Sequence, residues 1–246
     1  DGLLIQPNSD GSAPTTGTLS TATGNTGIGK SVFTALTSGD YNTAYGYNSL
    51  VANTIGIGNT TIGAGALAAN TEGENNVSIG RNTLESNTTA DNNVAVGYEA
   101  LAANTTGTSN NAVGYQALTA NTTANQNNAF GRNALGANTT GADNSAFGQN
   151  SLGANTTASN NTAVGSDALA ANTTGASNTA FGYAALDANT TAANNTAVGA
   201  AALGANTTGT SNSALGHGAL VTNTTGDENT ALGRQALYSA TTADNN

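Results

Sequence analysis

The chain has 246 residues, only 7% of them charged, a formal charge of −10, and no Cys, Met or Trp. An ordinary soluble domain is about a quarter charged, so the usual expectation of one or two globular domains carries little weight. With Lys30, Arg81, Arg132 and Arg234 as its only Lys or Arg, the acidic chain is not built for phosphate backbones; without Cys it has no disulfide framework; and no apolar run reaches the ~20 residues of a membrane-spanning helix.

Residues 1–24 show no period: apolar Leu3, Leu4 and Ile5 precede a Gly/Ser/Thr/Pro stretch that reads as an N-terminal cap or linker. A chain that starts at Asp1 reads as a processed product or an excised fragment. From residue 25 to 246 the sequence is periodic. One glycine returns every 17 residues from Gly29 to Gly233, thirteen times, without insertion or deletion. A fixed short period means stacking, because each unit can bury its apolar residues only against its neighbours.

Each unit carries a glycine and an Asn-Thr-Thr cluster, which would break any helix after about eight residues. Two short strands per unit fit better. In the unit 93–109, Asn93–Val96 reads as the first strand and Glu99–Ala103 as the second. Gly97 turns one corner, as Gly165 does four units on, and Asn104–Thr108 turns the other. The expectation is an all-β parallel β-solenoid, or β-roll, of thirteen 17-residue coils, with equivalent residues stacked at ~4.8 Å, some 60 Å in all.

The columns of the repeat then acquire roles. Asn42, Asn93 and Asn161, four before the glycine, and Asn104, seven after it, read as stacked amide ladders. Val96 and Val164, just before the glycine, and Leu101 and Leu169, four after it, read as the buried apolar residues. One Val-class residue and one Leu per coil bury little, at about 1.5–3 kcal/mol each, against the ordering of 17 residues. Ala95 beside Val96 and Ala100 beside Leu101 leave small or apolar residues on both strand faces, so several copies are expected to wrap together.

The variable column directly follows the glycine. It holds Tyr47, Tyr98, Tyr115, Tyr183 and His217, and all four cations, Lys30, Arg81, Arg132 and Arg234. The cations are separated by multiples of three units, which spaces like charges for solubility; the column is also a candidate aromatic and cationic binding stripe. Glu72, Glu74, Asp91, Asp143, Asp227, Glu228 and Asp244 fall in turns without calcium-loop spacing and read as solvated acids. Nothing supports a catalytic triad around His217, so no catalytic residue, metal, cofactor or enzyme activity is expected. The recurring Asn-Thr-Thr reads as a ladder and turn rather than a glycosylation site or an ice-binding face, since adjacent Thr side chains point to opposite faces.

The segments Asn-Asn-Val-Ala-Val-Gly at 92–97, Asn-Asn-Val-Ser-Ile-Gly at 75–80 and Asn-Thr-Ala-Val-Gly at 161–165, with the downstream Ala100 and Ala168, resemble the head repeats of YadA-like trimeric autotransporters. The longer unit is also similar to repeats of phage tail fibres and bacterial surface fibres. The unit here is 17 residues, against 14 or 15 in the autotransporter heads, and the extra residues lie in the Asn-Thr-Thr-Gly turn. The resemblance covers residues 25–246. It implies an interlocked homotrimer outside the cell, on a cell surface or on a virion. Solenoid ends without a cap expose strand edges, so the expectation is either a part of a longer fibre or ends that meet end to end in a filament. The function the resemblance implies is a rigid fibre or shaft segment. The alternative is an adhesin head that binds a host matrix protein or glycan through the column after the glycine.

Overall fold

A computed structural model of the chain describes residues 3–5 and 22–246. They fall into two compact units, Asp1–Ala124 and Asn125–Asn246. The first holds β1 (Leu3–Ile5), β2 (Thr26–Ile28), β3 (Thr43–Tyr45), β4 (Thr60–Ile62), β5 (Val77–Ile79), β6 (Val94–Val96) and β7 (Asn111–Val113). The second holds β8 (Asn128–Phe130), β9 (Ser145–Phe147), β10 (Thr162–Val164), β11 (Thr179–Phe181), β12 (Thr196–Val198), β13 (Ser213–Leu215) and β14 (Thr230–Leu232). Within each unit consecutive strands pair in parallel, displaced by one period from β2 onward, as Ala163 pairs with Ala180 and Ser78 with Ala95, whereas Leu3 of β1 pairs with Thr26. Each unit is therefore a parallel β-solenoid. The cap or linker expected over 1–24 lies outside the described residues except for 22–24 and β1, which pairs in parallel with β2.

Every coil has one strand, not two. The segment Glu99–Ala103 is a turn because Glu99 and Leu101 sit at φ +53° and +54°, in the left-handed region, and cannot continue an extended chain. It still bonds between coils: Glu99 N–H donates to the Arg81 carbonyl, and Leu101 N–H donates to the Ala117 carbonyl. The first strand is also shorter than expected, starting at Val94 rather than Asn93.

The corner glycines explain the invariance of the period within this chain. Gly97 and Gly165 have φ +128° and +134°, a region open essentially to glycine alone. A Cβ on Gly165 would stand 2.6 Å from the carbonyl carbon of Gly182 in the next coil. The glycines thus stack so closely that no side chain fits between them.

The interior is narrower than the sequence implies. Val96 and Val164 are half-exposed, and their column on the outer strand face includes Phe181 at 56% and Leu232 at 75% exposure. The reading of that column as buried is corrected: alternation along a three-residue strand sends its central residue inward, and that residue is Ala95 or Ala163, both fully buried. Leu101 and Leu169 are fully buried, and from Leu50 to Leu220 this column supplies the large buried aliphatic side chain of each coil. Small residues face each other across the rest. Where both facing columns turn polar, the hydroxyls pair: Ser49 with Thr61 and Ser78 with Thr83, each at 2.6 Å.

Candidate functional site

Two sets of residues could carry function: the internal ladders, which shape the molecule, and the side chains that follow the repeat glycine. The ladders come first because they position the rest. Asn42 Oδ1 accepts from the backbone N–H and the Nδ2 of Asn59, at 3.0 and 3.1 Å. The same contacts recur at Asn93 with Asn110, and Asn161 N–H donates to Asn144 Oδ1. In the second column Asn104 Nδ2 donates to Asn87 Oδ1 at 3.0 Å. The two columns meet on one carbonyl, since Asn93 Nδ2 and Asn104 Nδ2 both donate to the Gly107 oxygen at 2.9 Å. Both ladders thus satisfy interior polar groups, with Asn223 Oδ1, at the end of the second column, left without a partner among the described residues.

Asn104 is fully buried, so its Asn-Thr-Thr motif offers no amide to modification. The Thr that follows forms a third ladder. The Thr122 carbonyl accepts the backbone N–H groups of Thr105 and Thr106, at 2.9 and 3.2 Å, and the Thr105 hydroxyl at 3.0 Å. A hydroxyl engaged in this way is not presented in an ordered row to a surface ligand. The turn acids are also less free than their positions suggest. Asp91 Oδ1 accepts the Glu74 N–H, and Asp227 Oδ1 accepts from both the N–H and the hydroxyl of Thr210. These carboxylates tie one coil's turn to the next, and such contacts leave no signature in sequence spacing. Among the described residues no three His, Cys, Asp or Glu side chains come together as a metal site.

In the column after the glycine the large side chains are exposed: Tyr47, Arg81, Tyr98 and Tyr115 in the first unit, and Arg132, Tyr183, His217 and Arg234 in the second. The corner causes this, because the glycine's positive φ turns the chain and the next side chain leaves the coil. Arg81, Tyr98 and Tyr115 occupy successive coils and stack. The Arg81 guanidinium lies 6.0 Å from the Tyr98 ring centre, and the two tyrosine rings are 5.4 Å apart at an interplanar angle of 15°. Beside them Gln116 Nε2 donates to Glu99 Oε2 at 2.8 Å. That bond, and one from Tyr98, holds the Glu99 carboxyl below its ordinary range, while the Glu99 contact pushes the Tyr98 hydroxyl up. In the second unit three coils separate Arg132 from Tyr183 and two separate Tyr183 from His217, while His217 and Arg234 occupy successive coils.

Sequence reasoning placed this stripe but missed a break in it. Ala64 and Gly65 stand where neighbouring coils carry Tyr47 with Asn48 and Arg81 with Asn82. The gap forms an open cleft of about 380 Å³, completed by Ala68 and Glu85. The signal was available as two consecutive small residues between coils that carry large ones, a pattern these two columns repeat at Ala200 and Ala201. No helix among the described residues is long and apolar enough to cross a membrane. Comparison with protein-family models, with curated proteins and with solved structures gives no match.

Proposed function

We propose that the chain is a structural segment of an extracellular, cell-surface or virion-borne filament, a rigid spacer in which copies of the chain lie side by side. The homotrimer implied by the resemblance to trimeric autotransporter heads is the assembly favoured. The observation that carries this reading is the outer strand face. None of the 14 acids and four cations occupies the first or third position of any strand β2–β14. Those positions carry instead Thr, Val, Asn and Ser, and exposed Tyr45, Ile62, Phe147, Phe181 and Leu215.

A chain of charge −10 repels its own copies over most of its surface. Its charge-free, apolar strand face is where identical copies can meet without that cost, and apolar faces of this kind mark association surfaces. Sedimentation equilibrium at micromolar concentration is expected to give a trimer. Phe147→Glu with Phe181→Glu should dissociate it, and a folded monomer of the unaltered chain would overturn the reading.

A further inference from the structure

The geometry points to the cleft between Tyr47 and Arg81 as a binding site for one ring of a neutral saccharide. This goes beyond the spacer reading and does not depend on it. It gives the alternative, recognition through the column after the glycine, a single address.

Three observations converge there. The first is spacing. Tyr47 and Arg81 lie two periods apart in the same column, so their coils are separated by about 10 Å at the β-ladder spacing. A slab placed midway has room for about 3.5–4 Å of van der Waals contact on each side and a puckered ring between. Arg81, Tyr98 and Tyr115 already form a stack on one side, and Ala64 is the missing member between Arg81 and Tyr47. A ring in the cleft would fill that vacancy in the stack.

The second is unspent hydrogen bonding. Side chains two after the glycine bond between coils elsewhere, as in Gln116 to Glu99 and Asn150 to Asp167. Gly65 removes that rung, and neither the Asn48 nor the Asn82 amide has a hydrogen bond among the described residues. Asn82 Oδ1 leans over Gly65, 2.7 Å from where a Cβ would stand, so the amide edges the cleft itself. Glu85 and Arg81 add an acceptor and donors.

The third is charge. Glu85 within the cleft and the acidity of the whole chain disfavour sulfated or carboxylated sugars and nucleotides. A bare aromatic ring from a partner would stack but would leave both amides unsatisfied. A neutral pyranose offers an apolar C–H face to Tyr47 and hydroxyls to the amides, which matches both walls.

Saturation-transfer NMR on the full chain, with the methyl pyranosides of glucose, galactose, mannose and N-acetylglucosamine, tests this directly. Transfer to at least one of them is expected, with affinity on the order of millimolar for a single ring. Tyr47→Ala should weaken it at least tenfold. Ala64→Tyr, which fills the cleft with the residue this column holds elsewhere, should abolish it while the circular dichroism spectrum stays unchanged. No transfer from any pyranoside overturns the proposal. So does transfer that survives Ala64→Tyr, or transfer from tyramine or adenosine in place of the sugars.

Discussion

Leu101 lies at φ +54°, and its column repeats this left-handed conformation in each coil, as at Leu169 and Leu186, both at φ +53°. The strain is about 1–2 kcal/mol per residue. Full burial of a leucine returns about 1.5–3 kcal/mol, and Leu101, Leu169 and Leu186 are fully buried. Burial wins, though narrowly, which is why an apolar residue tolerates a conformation that Asn or Gly usually takes. The corner glycine has no such offset. Gly165→Ala is expected to destabilise by about 2–4 kcal/mol, since φ +134° is closed to alanine and its Cβ would meet the Gly182 carbonyl. Gly204→Ala is the control: its φ is not positive, and the equivalent positions hold Ala170 and Val221. Thermal denaturation followed by circular dichroism should show a drop of about 5–10 °C for the first and a neutral or slightly positive shift for the second. Asp187 provides the pH dependence. Partial burial raises its carboxyl above the ordinary value, and the Asp167 charge adds to this. The folded state therefore holds that proton more tightly than the unfolded chain. Its contribution favours folding below the ordinary Asp range and is lost as pH rises through the raised folded value. Asp187→Asn should accordingly stabilise at pH 7, by about 0.5 kcal/mol or less for a half-buried site, and change nothing near pH 3. Melting curves at the two pH values check the sign.

At the scale of the coil, the ladders have a direction. In the second column each Asn donates toward the preceding coil and accepts from the following one, as Asn155 does with Asn138 and Asn172. The column ends at Asn223, because the next equivalent position is Ala240, and Asn223 Oδ1 is a buried acceptor with no partner among the described residues. Ala240→Asn should supply the missing donor and stabilise the last coil by about 1 kcal/mol, seen as slower hydrogen exchange over 223–243. Asn155→Ala does the opposite. It removes the donor to Asn138 Oδ1 and one of the two acceptors of Asn172 Nδ2, which keeps the Gly175 carbonyl, and should cost about 2–4 kcal/mol in a denaturant titration. These ladders were legible in the sequence because an amide that recurs at a fixed period has few other uses. The second strand was not, since the period reports which residues stack and is silent on φ. Nor was the inside of the strand: Val96 outranks Ala95 in hydrophobicity, yet the interior has room only for the smaller side chain. The facing pairs Ser49–Thr61 and Ser78–Thr83 were the available hint, because hydroxyls replace alanine together in both columns.

At the scale of the whole molecule, the repeat makes stability a sum of coils and of the contacts between neighbouring coils. The strand register, the ladders, the corner glycines and the Thr122-type carbonyls all join residues one period apart or one residue either side of it. The Thr61 hydroxyl to the Thr43 carbonyl and the Thr222 hydroxyl to the Ala240 carbonyl each span 18 residues, one more than the period. The period was thus fully legible, whereas the cleft at Ala64 was not, because it is a departure from the repeat, and averaging over columns conceals departures. A deletion separates this architecture from an ordinary domain. Removing residues 166–182 excises one period from Ser166 through Gly182 and brings Gly165 against Tyr183, the residue type that follows Gly97 and Gly114. Ala163 then pairs with Ala197, and Asn161 Oδ1 meets Asn195, so every ladder closes with the same chemistry. The shortened chain should fold, with an unchanged circular dichroism spectrum per residue and a melting temperature within a few degrees of the parent. Removing only residues 166–174 shifts every later column against its ladder, placing Gly182 eight residues after Gly165 instead of 17, and should leave the downstream coils open to proteolysis. Equal stability of the two deletions would show that the columns do not carry the fold.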